Sequence, residues 1–263
     1  MNRQEDLDRI RQALVRAAEV LGRYSPERID VSYKASNSPV TEADLAVNDL
    51  LRRELPLAGE GWLSEESPDD RARLDCRRVW IVDPLDGTRE FLEGTAQWTV
   101  SIGLAEDGEA VAGGIYNPTT DEMFLGARGV GVTLNGAPAA ASARAELGEA
   151  VVLANRWAVR KRRDELTRQP FRVQIVNAMA YSLALIAIGR ADALWSRSAK
   201  AEWDTAAGVA LIDAAGGRTT TFGDGPPRFN AWPPRAPGIV ATNGRLHHAV
   251  RRFLAQGPQR ARR

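Results

Sequence analysis

Two aspartates, Asp83 and Asp86, stand three residues apart at the end of an apolar run in the segment WIVDPLDGTREF. Carboxylates this close on one turn repel each other and raise each other's pKa unless a cation lies between them. Since no His or Cys is nearby, the ligands are hard oxygens, which suit Mg²⁺, Mn²⁺ or Ca²⁺ and not zinc. The pattern predicts a divalent cation site; an Asx turn that caps the following helix is the alternative.

The residues after this turn suit a phosphate group. Gly87 permits a tight or left-handed backbone, and we expect Thr88 to open a helix. A helix N-terminus beside a divalent cation binds phosphate through its free N–H groups. The carbonyl of Leu85 can also face the cation, and the Thr88 hydroxyl can orient a water molecule bound to it.

Two further segments supply carboxylates. GWLSEES places Glu65 and Glu66 after an apolar stretch, and EWD places Glu202 and Asp204 at the start of a late helix. Each segment alone is typical of a solvated loop or a helix cap. Their occurrence together with the two aspartates predicts one site assembled from three distant parts of the chain.

Hydrophobic periodicity predicts the elements that position these acids. Apolar residues at three- and four-residue steps indicate a helix over 5–21, and Thr41 with Asp44 resembles the capping box of a second helix. RVWIVD reads as a strand. Alternating apolar residues around Asp-Gly and Asn-Gly turns then predict antiparallel hairpins.

The second half of the chain has a different pattern. AVVLANR and FRVQIV read as buried strands that flank a charged helix over about 159–168, and a further helix follows over about 180–188. WDTAAGVALIDAAGG predicts a helix closed by glycines. We therefore expect an α+β subdomain at 1–140, which carries the first metal motifs, and an α/β subdomain at 141–263, which carries the Trp-Asp motif.

Composition excludes several classes of protein. The 263 residues include 35 basic and 34 acidic side chains, a net charge of +1 that favours neither a nucleic acid polymer nor a membrane as partner. The only cysteine, Cys76, excludes an internal disulfide, and the adjacent His247 and His248 argue against a zinc site or a Ser-His-Asp system. The acidic N-terminal segment MNRQEDLDRI is not typical of a signal peptide, and no apolar run approaches the roughly 20 residues of a membrane span. We expect a cytoplasmic protein.

Four tryptophans and one basic segment are candidates for contact with nucleotides or nucleic acid. Trp98, Trp157, Trp195 and Trp232 can stack on adenine, but packing in the core or in an interface is the interpretation we favour. The basic segment RWAVRKRRDELTR is interrupted by acids, which is typical of a solvated helix face.

Taken together, GWLSEES, WIVDPLDGTREF and EWDTAAGVALIDAAGG resemble the three signature segments of the inositol monophosphatase superfamily, and KASNSPVTEAD resembles its first motif. The resemblance implies a layered α-β-α-β-α sandwich. It also implies a Mg²⁺-dependent, lithium-sensitive phosphatase that uses two or three Mg²⁺ ions, with Mn²⁺ as an alternative. Water would hydrolyse the phosphate monoester directly, without a phosphoenzyme.

The same resemblance implies the metal ligands. Glu65, Asp83 and the carbonyl of Leu85 would hold a first Mg²⁺. Asp83, Asp86 and Asp204 would hold a second. Two cations on these oxygens would neutralise a phosphate dianion and lower the pKa of a bound water molecule.

Catalytic and phosphate-binding residues are implied as well. Asp44 and Thr88 would position and deprotonate the attacking water, with Glu65 as the third catalytic residue. The backbone N–H groups of Gly87 and Thr88 would bind the phosphoryl oxygens.

Within the superfamily, DPLDGTREF, NSPVTEAD and EWDTAAG look most like the 3′(2′),5′-bisphosphate nucleotidase branch. This implies adenosine 3′,5′-bisphosphate as substrate, with Lys200 or Arg156 binding its second phosphate. Two positions depart from that branch: Ser182, a predicted substrate contact, stands where relatives often have Lys or Asp, and Ser36 where the branch often has Asp. An inositol-1-monophosphatase, a broad-specificity sugar phosphatase of the fructose-1,6-bisphosphatase type and a catalytically silent regulatory protein are the alternatives. A homodimer is compatible with the sequence.

Overall fold

The structure is a computed structural model that describes residues 2–33, 39–161, 166 and 169–256. Its α-helices are α1 (Arg3–Leu21), α2 (Glu42–Glu54), α3 (Thr88–Leu92), α4 (Arg156–Lys161), α5 (Met179–Ala187), α6 (Ala206–Ala214) and α7 (His247–Gln256). Short 3-10 helices cover Ala72–Asp75 and Leu147–Glu149. Within the described ranges, no helix is both long and apolar enough to cross a membrane.

The strands form two large sheets and two short pairs. A seven-stranded sheet contains, in spatial order, β3 (Glu60–Ser64), β4 (Arg78–Asp86), β5 (Thr99–Glu106), β6 (Glu109–Asn117), β7 (Glu122–Ala127), β8 (Gly131–Leu134) and β9 (Ala137–Ala139). A five-stranded sheet contains β11 (Arg172–Ile175), β10 (Val151–Ala154), β12 (Ala193–Ser196), β16 (Ile239–Thr242) and β14 (Arg218–Thr220). The pairs are β1 (Val31–Tyr33) with β2 (Pro39–Thr41), and β13 (Lys200–Ala201) with β15 (Arg235–Ala236).

Helices and sheets alternate in five layers. α1 and α2 pack on one face of the seven-stranded sheet, and α5 and α6 lie between its other face and the five-stranded sheet. α7 packs on the outer face of the five-stranded sheet. This arrangement confirms the predicted α-β-α-β-α sandwich.

The strand β4 contributes to two hydrophobic cores. Trp80 and Val82 are buried against α1 and α2, whereas Val79 and Ile81 are buried in the core that includes α5 and α6. Successive strand residues point to opposite faces, so an uninterrupted apolar run is buried on both sides. Asp83 continues the series of Val79 and Ile81, so it lies on the face of β4 that is turned to the layer between the two sheets.

The hairpin turns follow the sequence prediction. Asp107 and Gly108 join β5 to β6, and Asn135 and Gly136 join β8 to β9. All four residues have positive φ, between 50° and 80°. Asp-Gly and Asn-Gly turns of this kind match the twist of antiparallel strands, which explains why these hairpins were readable from the sequence.

Several elements differ from the prediction. α1 begins at Arg3, two residues earlier than expected. FRVQIV forms an edge strand, β11, whose residues are largely exposed and not buried, because it pairs only with β10. α4 ends at Lys161, and the predicted helix beyond it lies largely outside the described residues.

The four tryptophans considered for stacking on adenine divide into two groups by their exposure. Trp98 and Trp195 are buried, at 8 % and 9 % exposure. Trp157 and Trp232 are exposed, at 53 % and 50 %, so neither packs in the core, and packing in an interface stays a prediction for these two.

The subdomain division at 140/141 stays a prediction. The seven-stranded sheet lies within 60–139 and the five-stranded sheet within 151–242. However, a single hydrophobic cluster joins side chains from both sheets to α5 and α6. The two halves therefore share a core.

α6 packs against the seven-stranded sheet at two glycines. A Cβ atom on Gly113 would lie 2.5 Å from the carbonyl oxygen of Ala207, and one on Gly103 would lie 2.8 Å from the Cβ of Ala206. Only glycine permits this approach of helix backbone to strand. Since Asp204 lies two residues before the first residue of α6, the contact limits its distance from the sheet.

Replacing Gly113 by alanine is expected to lower the free energy of unfolding by about 2 kcal/mol, because overpacking a core costs roughly 1–3 kcal/mol. Urea unfolding followed by circular dichroism measures this change. Gly225→Ala is the matched control, since a Cβ there meets no atom within 4 Å. Equal stability of the two variants would contradict the close packing of α6.

Candidate active site

Parallel pairing brings Glu65 beside Asp83. β3 and β4 run in the same direction, and Ser64 is in register with Val82. The N–H of Glu65 donates to the Val82 carbonyl at 3.3 Å and extends this pairing by one residue. Parallel strands run toward the same edge of a sheet, so the carboxylates of Glu65 and Asp83 lie side by side near that edge.

Asp204 completes a group of three carboxylates. The group comprises Glu65, Asp83 and Asp204, and one ligand oxygen from each lies within 4.8 Å of those of the others. Asp204 reaches them from the layer between the sheets, where the first turn of α6 lies against β5 and β6. The structure therefore gathers residues from three of the predicted segments.

Asp86 stands outside this group of three. Its Oδ1 accepts the N–H of Met179 at 3.2 Å, and its Oδ2 accepts those of Ala180 at 2.7 Å and Tyr181 at 3.4 Å. Asp86 therefore caps the N-terminus of α5, which supplies free N–H donors and a partial positive charge. Its role as a metal ligand stays a prediction that must use the remaining lone pairs of the carboxylate.

Asp44 and Thr88 form a hydrogen-bonded pair. Asp44 accepts the N–H and the hydroxyl of Thr41 at 2.8 and 2.6 Å, which is the predicted capping box of α2. The Thr88 hydroxyl lies 3.2 Å from the other Asp44 oxygen and 3.1 Å from the Leu85 carbonyl. One hydroxyl proton can serve only one of these acceptors at a time, so the Thr88 oxygen is poised between them.

The turn between the two aspartates is held by its own backbone. The N–H of Leu85 donates to Asp83 Oδ1 at 3.1 Å, and the Leu85 side chain is buried. Gly87 has φ 96°, and a Cβ there would lie 2.8 Å from the Gln97 carbonyl oxygen. Glycine is therefore required where the chain turns into α3.

Burial and mutual repulsion raise the pKa of the acids in this site. Burial, with the charges of Glu65, Asp86 and Asp204, raises the pKa of Asp83 well above its usual value. Burial and the Asp204 charge raise the pKa of Asp86 to about 7, and burial and Glu65 raise that of Asp204 to about 6. Burial also raises the pKa of Asp44. A cation removes this penalty because it favours the charged forms.

The donor set fits a hard divalent cation. The group of three offers only carboxylate oxygens, the ligands that Mg²⁺ takes in proteins. In addition, the hydroxyls of Thr99 and Ser101 are buried and have no hydrogen-bond partner among the residues that the structure describes. These residues lie opposite Asp86 and Asp83 in the register of β4 with β5. The residues present are therefore suited to Mg²⁺.

The predicted substrate contacts are only partly brought together. A cavity of about 370 Å³ is lined by Lys200 and Ser182, but not by Arg156. The Arg156 guanidinium is 3.6 Å from Glu93 Oε2 and its side chain is 66 % exposed, so the structure favours Lys200 as the cation at the cavity. The Ser182 hydroxyl donates to the Ala178 carbonyl at 2.7 Å and so offers only acceptor lone pairs to a ligand.

Two buried polar residues fix loops through hydrogen bonds, a role that was not predicted for either of them. Asn48 accepts hydrogen bonds from Ser64 at 2.7 Å and Ser67 at 3.1 Å, which fixes the loop that carries Glu65. Its signal in the sequence is a polar residue four positions after Asp44, on the same face of α2. Glu202, counted among the candidate acids, is buried and accepts two backbone N–H groups from residues 230 and 231. It therefore holds a loop.

Lowering the pH from 8 to 6 is expected to weaken Mg²⁺ binding by about tenfold, because a group with a pKa of about 7 is about 90 % protonated at pH 6 and the proton competes with the metal. The folded-state pKa values lie above those of unfolded carboxylates. Because the folded state therefore binds more protons than the unfolded state in this range, these groups destabilise the metal-free fold as the pH rises from about 4 to 7.

Calorimetric Mg²⁺ titrations in two buffers of different ionisation enthalpy measure the released protons. Asp86→Asn should flatten the pH dependence. Affinity that stays constant from pH 6 to 8 in the wild-type protein would contradict the assignment.

Known proteins resemble this chain in sequence and in fold. Residues 3–257 match the model of the inositol monophosphatase family. The chain is 32 % identical over 257 residues to an inositol-1-monophosphatase of Rhizobium meliloti, covering 92 % of this chain and 93 % of that protein. Crystal structures of extragenic suppressor protein suhB from Bartonella henselae and of CysQ from Bacteroides thetaiotaomicron match with TM-scores of 0.83 and 0.74, at 30 % and 27 % identity. The first match covers 96 % of this chain and 99 % of that chain, and the second covers 91 % and 98 %. The chain therefore belongs to the inositol monophosphatase family, a family of Mg²⁺-dependent phosphomonoesterases.

Proposed function

We propose that this chain hydrolyses a small phosphorylated metabolite at the group of three carboxylates, and that its substrate is adenosine 3′,5′-bisphosphate. The observation that carries the reaction is the convergence of Glu65, Asp83 and Asp204 within 4.8 Å, beside the hydrogen-bonded pair of Asp44 and Thr88. Such a site has the parts that metal-assisted attack by water requires.

The carboxylates are proposed to hold the metal ions. Glu65, Asp83 and the Leu85 carbonyl would hold one ion, and Asp83, Asp86 and Asp204 would hold a second. Bound Mg²⁺ supplies Lewis-acid stabilisation of the phosphate charge and lowers the pKa of a coordinated water molecule.

The pair of Asp44 and Thr88 is proposed to manage the proton of the attacking water. When the Thr88 hydroxyl donates to Asp44, its oxygen lone pair can accept a hydrogen bond from that water. The water oxygen forms a bond to phosphorus and its proton passes through Thr88 to Asp44. The bond from phosphorus to the ester oxygen breaks with its electron pair on that oxygen, which leaves as an alkoxide and takes a proton from solvent water. Burial raises the pKa of Asp44, which makes this carboxylate a better proton acceptor than an exposed one. The N–H groups of Gly87 and Thr88 are proposed to bind the phosphoryl oxygens.

The nucleotide assignment rests on the resemblance of DPLDGTREF and EWDTAAG to the 3′(2′),5′-bisphosphate nucleotidase branch and on one cation, Lys200. Lys200 lines the cavity and has no ion-pair partner within the described part of the chain, so it is suited to a second phosphate. Inositol 1-phosphate is the second candidate substrate, which the name of the Rhizobium meliloti relative supports. A broad-specificity sugar phosphatase would also use Lys200. A catalytically silent regulatory protein is the non-enzyme alternative. The presence of every predicted metal ligand in the sequence argues against it.

Asp83→Asn is expected to reduce kcat/KM by about a thousandfold, because a loss of several kcal/mol of metal-centred stabilisation costs tenfold per 1.36 kcal/mol. The thermal midpoint without Mg²⁺ should be retained or raised, since a buried charge in a repulsive group is removed. Phosphate release and differential scanning fluorimetry measure the two effects. Asp8→Asn, on the exposed face of α1, is the control. Full wild-type activity in excess EDTA would refute the metal mechanism, and we expect inhibition by Li⁺ and by Ca²⁺.

A substrate panel tests the nucleotide assignment separately. We expect kcat/KM for adenosine 3′,5′-bisphosphate to exceed that for inositol 1-phosphate and for fructose 1,6-bisphosphate by more than about tenfold, since a missing charged contact costs about 1.5–3 kcal/mol. Ratios near unity would defeat the nucleotidase assignment and leave the phosphatase reaction in place. Absence of phosphate release from all three substrates would favour the silent protein.

A further inference from the structure

The 370 Å³ cavity adjoins the candidate active site at two points. Met179 lines the cavity and donates its backbone N–H to Asp86. Lys200 lines it as well, and its positive charge favours the ionised form of Asp204. A phosphate ester bound at the carboxylates can therefore extend its leaving group into this cavity.

The lining of the cavity favours an apolar ring that carries an anionic group. Its walls include Leu153, Val176 and Leu194, and no acidic residue belongs to the described lining. Two asparagines and three serines also line it, and of these Asn177 and Ser182 already donate hydrogen bonds to Glu90 and to the Ala178 carbonyl. An inositol ring carries a hydroxyl or phosphate on every carbon, and each hydroxyl buried without a partner costs free energy. The two faces of a purine ring are apolar and need no such partners; only the nitrogen atoms on its edge do. Of the two cations in the lining, Arg197 already lies 5.0 Å over the Phe222 ring and donates to the Leu254 carbonyl, so Lys200 is the one suited to an anion.

Trp157 lies on α4 at this cavity with an accessible indole ring. It is 53 % exposed and lines the cavity, and within the described residues no other aromatic ring and no cation packs on it. Two hydrogen bonds fix the start of α4: Asn177 Oδ1 accepts the N–H of Arg156 at 2.8 Å, and Asn155 Oδ1 accepts that of Ala158 at 2.7 Å. The indole is therefore held beside the cavity by the backbone that carries it.

We propose that Trp157 is the base-recognition residue: the purine of a nucleoside bisphosphate stacks on its indole ring while Lys200 binds the phosphate that is not cleaved. This inference rests on the proposed function, because the cleaved phosphate must lie at the carboxylates. Stacking of one base on an aromatic side chain contributes about 1–3 kcal/mol, and the corresponding loss of affinity is about tenfold to a hundredfold.

The test compares Trp157→Ala with Trp232→Ala, which removes an equally exposed tryptophan whose ring packs under Arg71 and does not line the cavity. For adenosine 3′,5′-bisphosphate, Trp157→Ala should raise KM by about tenfold or more and change kcat less than twofold. Trp157→Phe should restore most of the affinity. For fructose 1,6-bisphosphate, which has two phosphates and no base, KM should not change. Trp232→Ala should match the wild-type protein on both substrates.

Calorimetric titration of adenosine 3′,5′-bisphosphate in the presence of Ca²⁺ keeps binding separate from turnover. If the wild-type protein binds and cleaves the nucleotide but Trp157→Ala behaves like Trp232→Ala, the role of Trp157 is overturned while the proposed function stands. If the protein cleaves no phosphate ester, the proposed function fails, and a tenfold loss of nucleotide binding in Trp157→Ala alone still supports base recognition. No nucleotide binding by the wild-type protein overturns the inference.

Discussion

Repulsion among carboxylates is the constraint on which this structure depends. Three of them lie within 4.8 Å, and two like charges at this distance repel by about 3–4 kcal/mol at an effective dielectric constant of 20. The surrounding elements hold them there regardless: the parallel pairing of β3 with β4 sets Glu65 beside Asp83, and close packing of α6 sets the position of Asp204. The N-terminus of α5 stabilises the nearby Asp86 through backbone N–H groups. A fold that maintains such repulsion is prepared for a cation.

The sequence predicted local features well, because local interactions determine them. The hairpin turns, the capping box at Thr41 and the apolar run of β4 each follow from neighbouring residues. The role of Asp86 could not be read this way, since the helix that it caps begins 93 residues later in the chain. Likewise, β11 has strand composition, but only the order of strands in the sheet makes it an exposed edge. The exposure of Trp157 depends on where the short helix α4 meets the cavity.

The proposed metal ligands and the proposed leaving-group cavity come from different parts of the molecule. Glu65, Asp83 and the Asp44–Thr88 pair lie in the first half of the chain, whereas the cavity is lined by residues 153–200. Asp204, the Asp86 cap on α5 and the hydrogen bond that Asn177 in the cavity lining donates to Glu90 connect the two. Such an arrangement lets side chains of the cavity change the substrate without disturbing the carboxylates.

Anomalous diffraction from crystals soaked in MnCl₂ tests the central claim most directly, because Mn²⁺ accepts the same oxygen ligands as Mg²⁺ and is located without reference to the protein model. We predict anomalous peaks bounded by Glu65, Asp83 and Asp204, with at least one oxygen of each carboxylate about 2.0–2.3 Å from a metal ion. Carboxylates that remain apart with no peak between them at saturating Mn²⁺ would contradict the account.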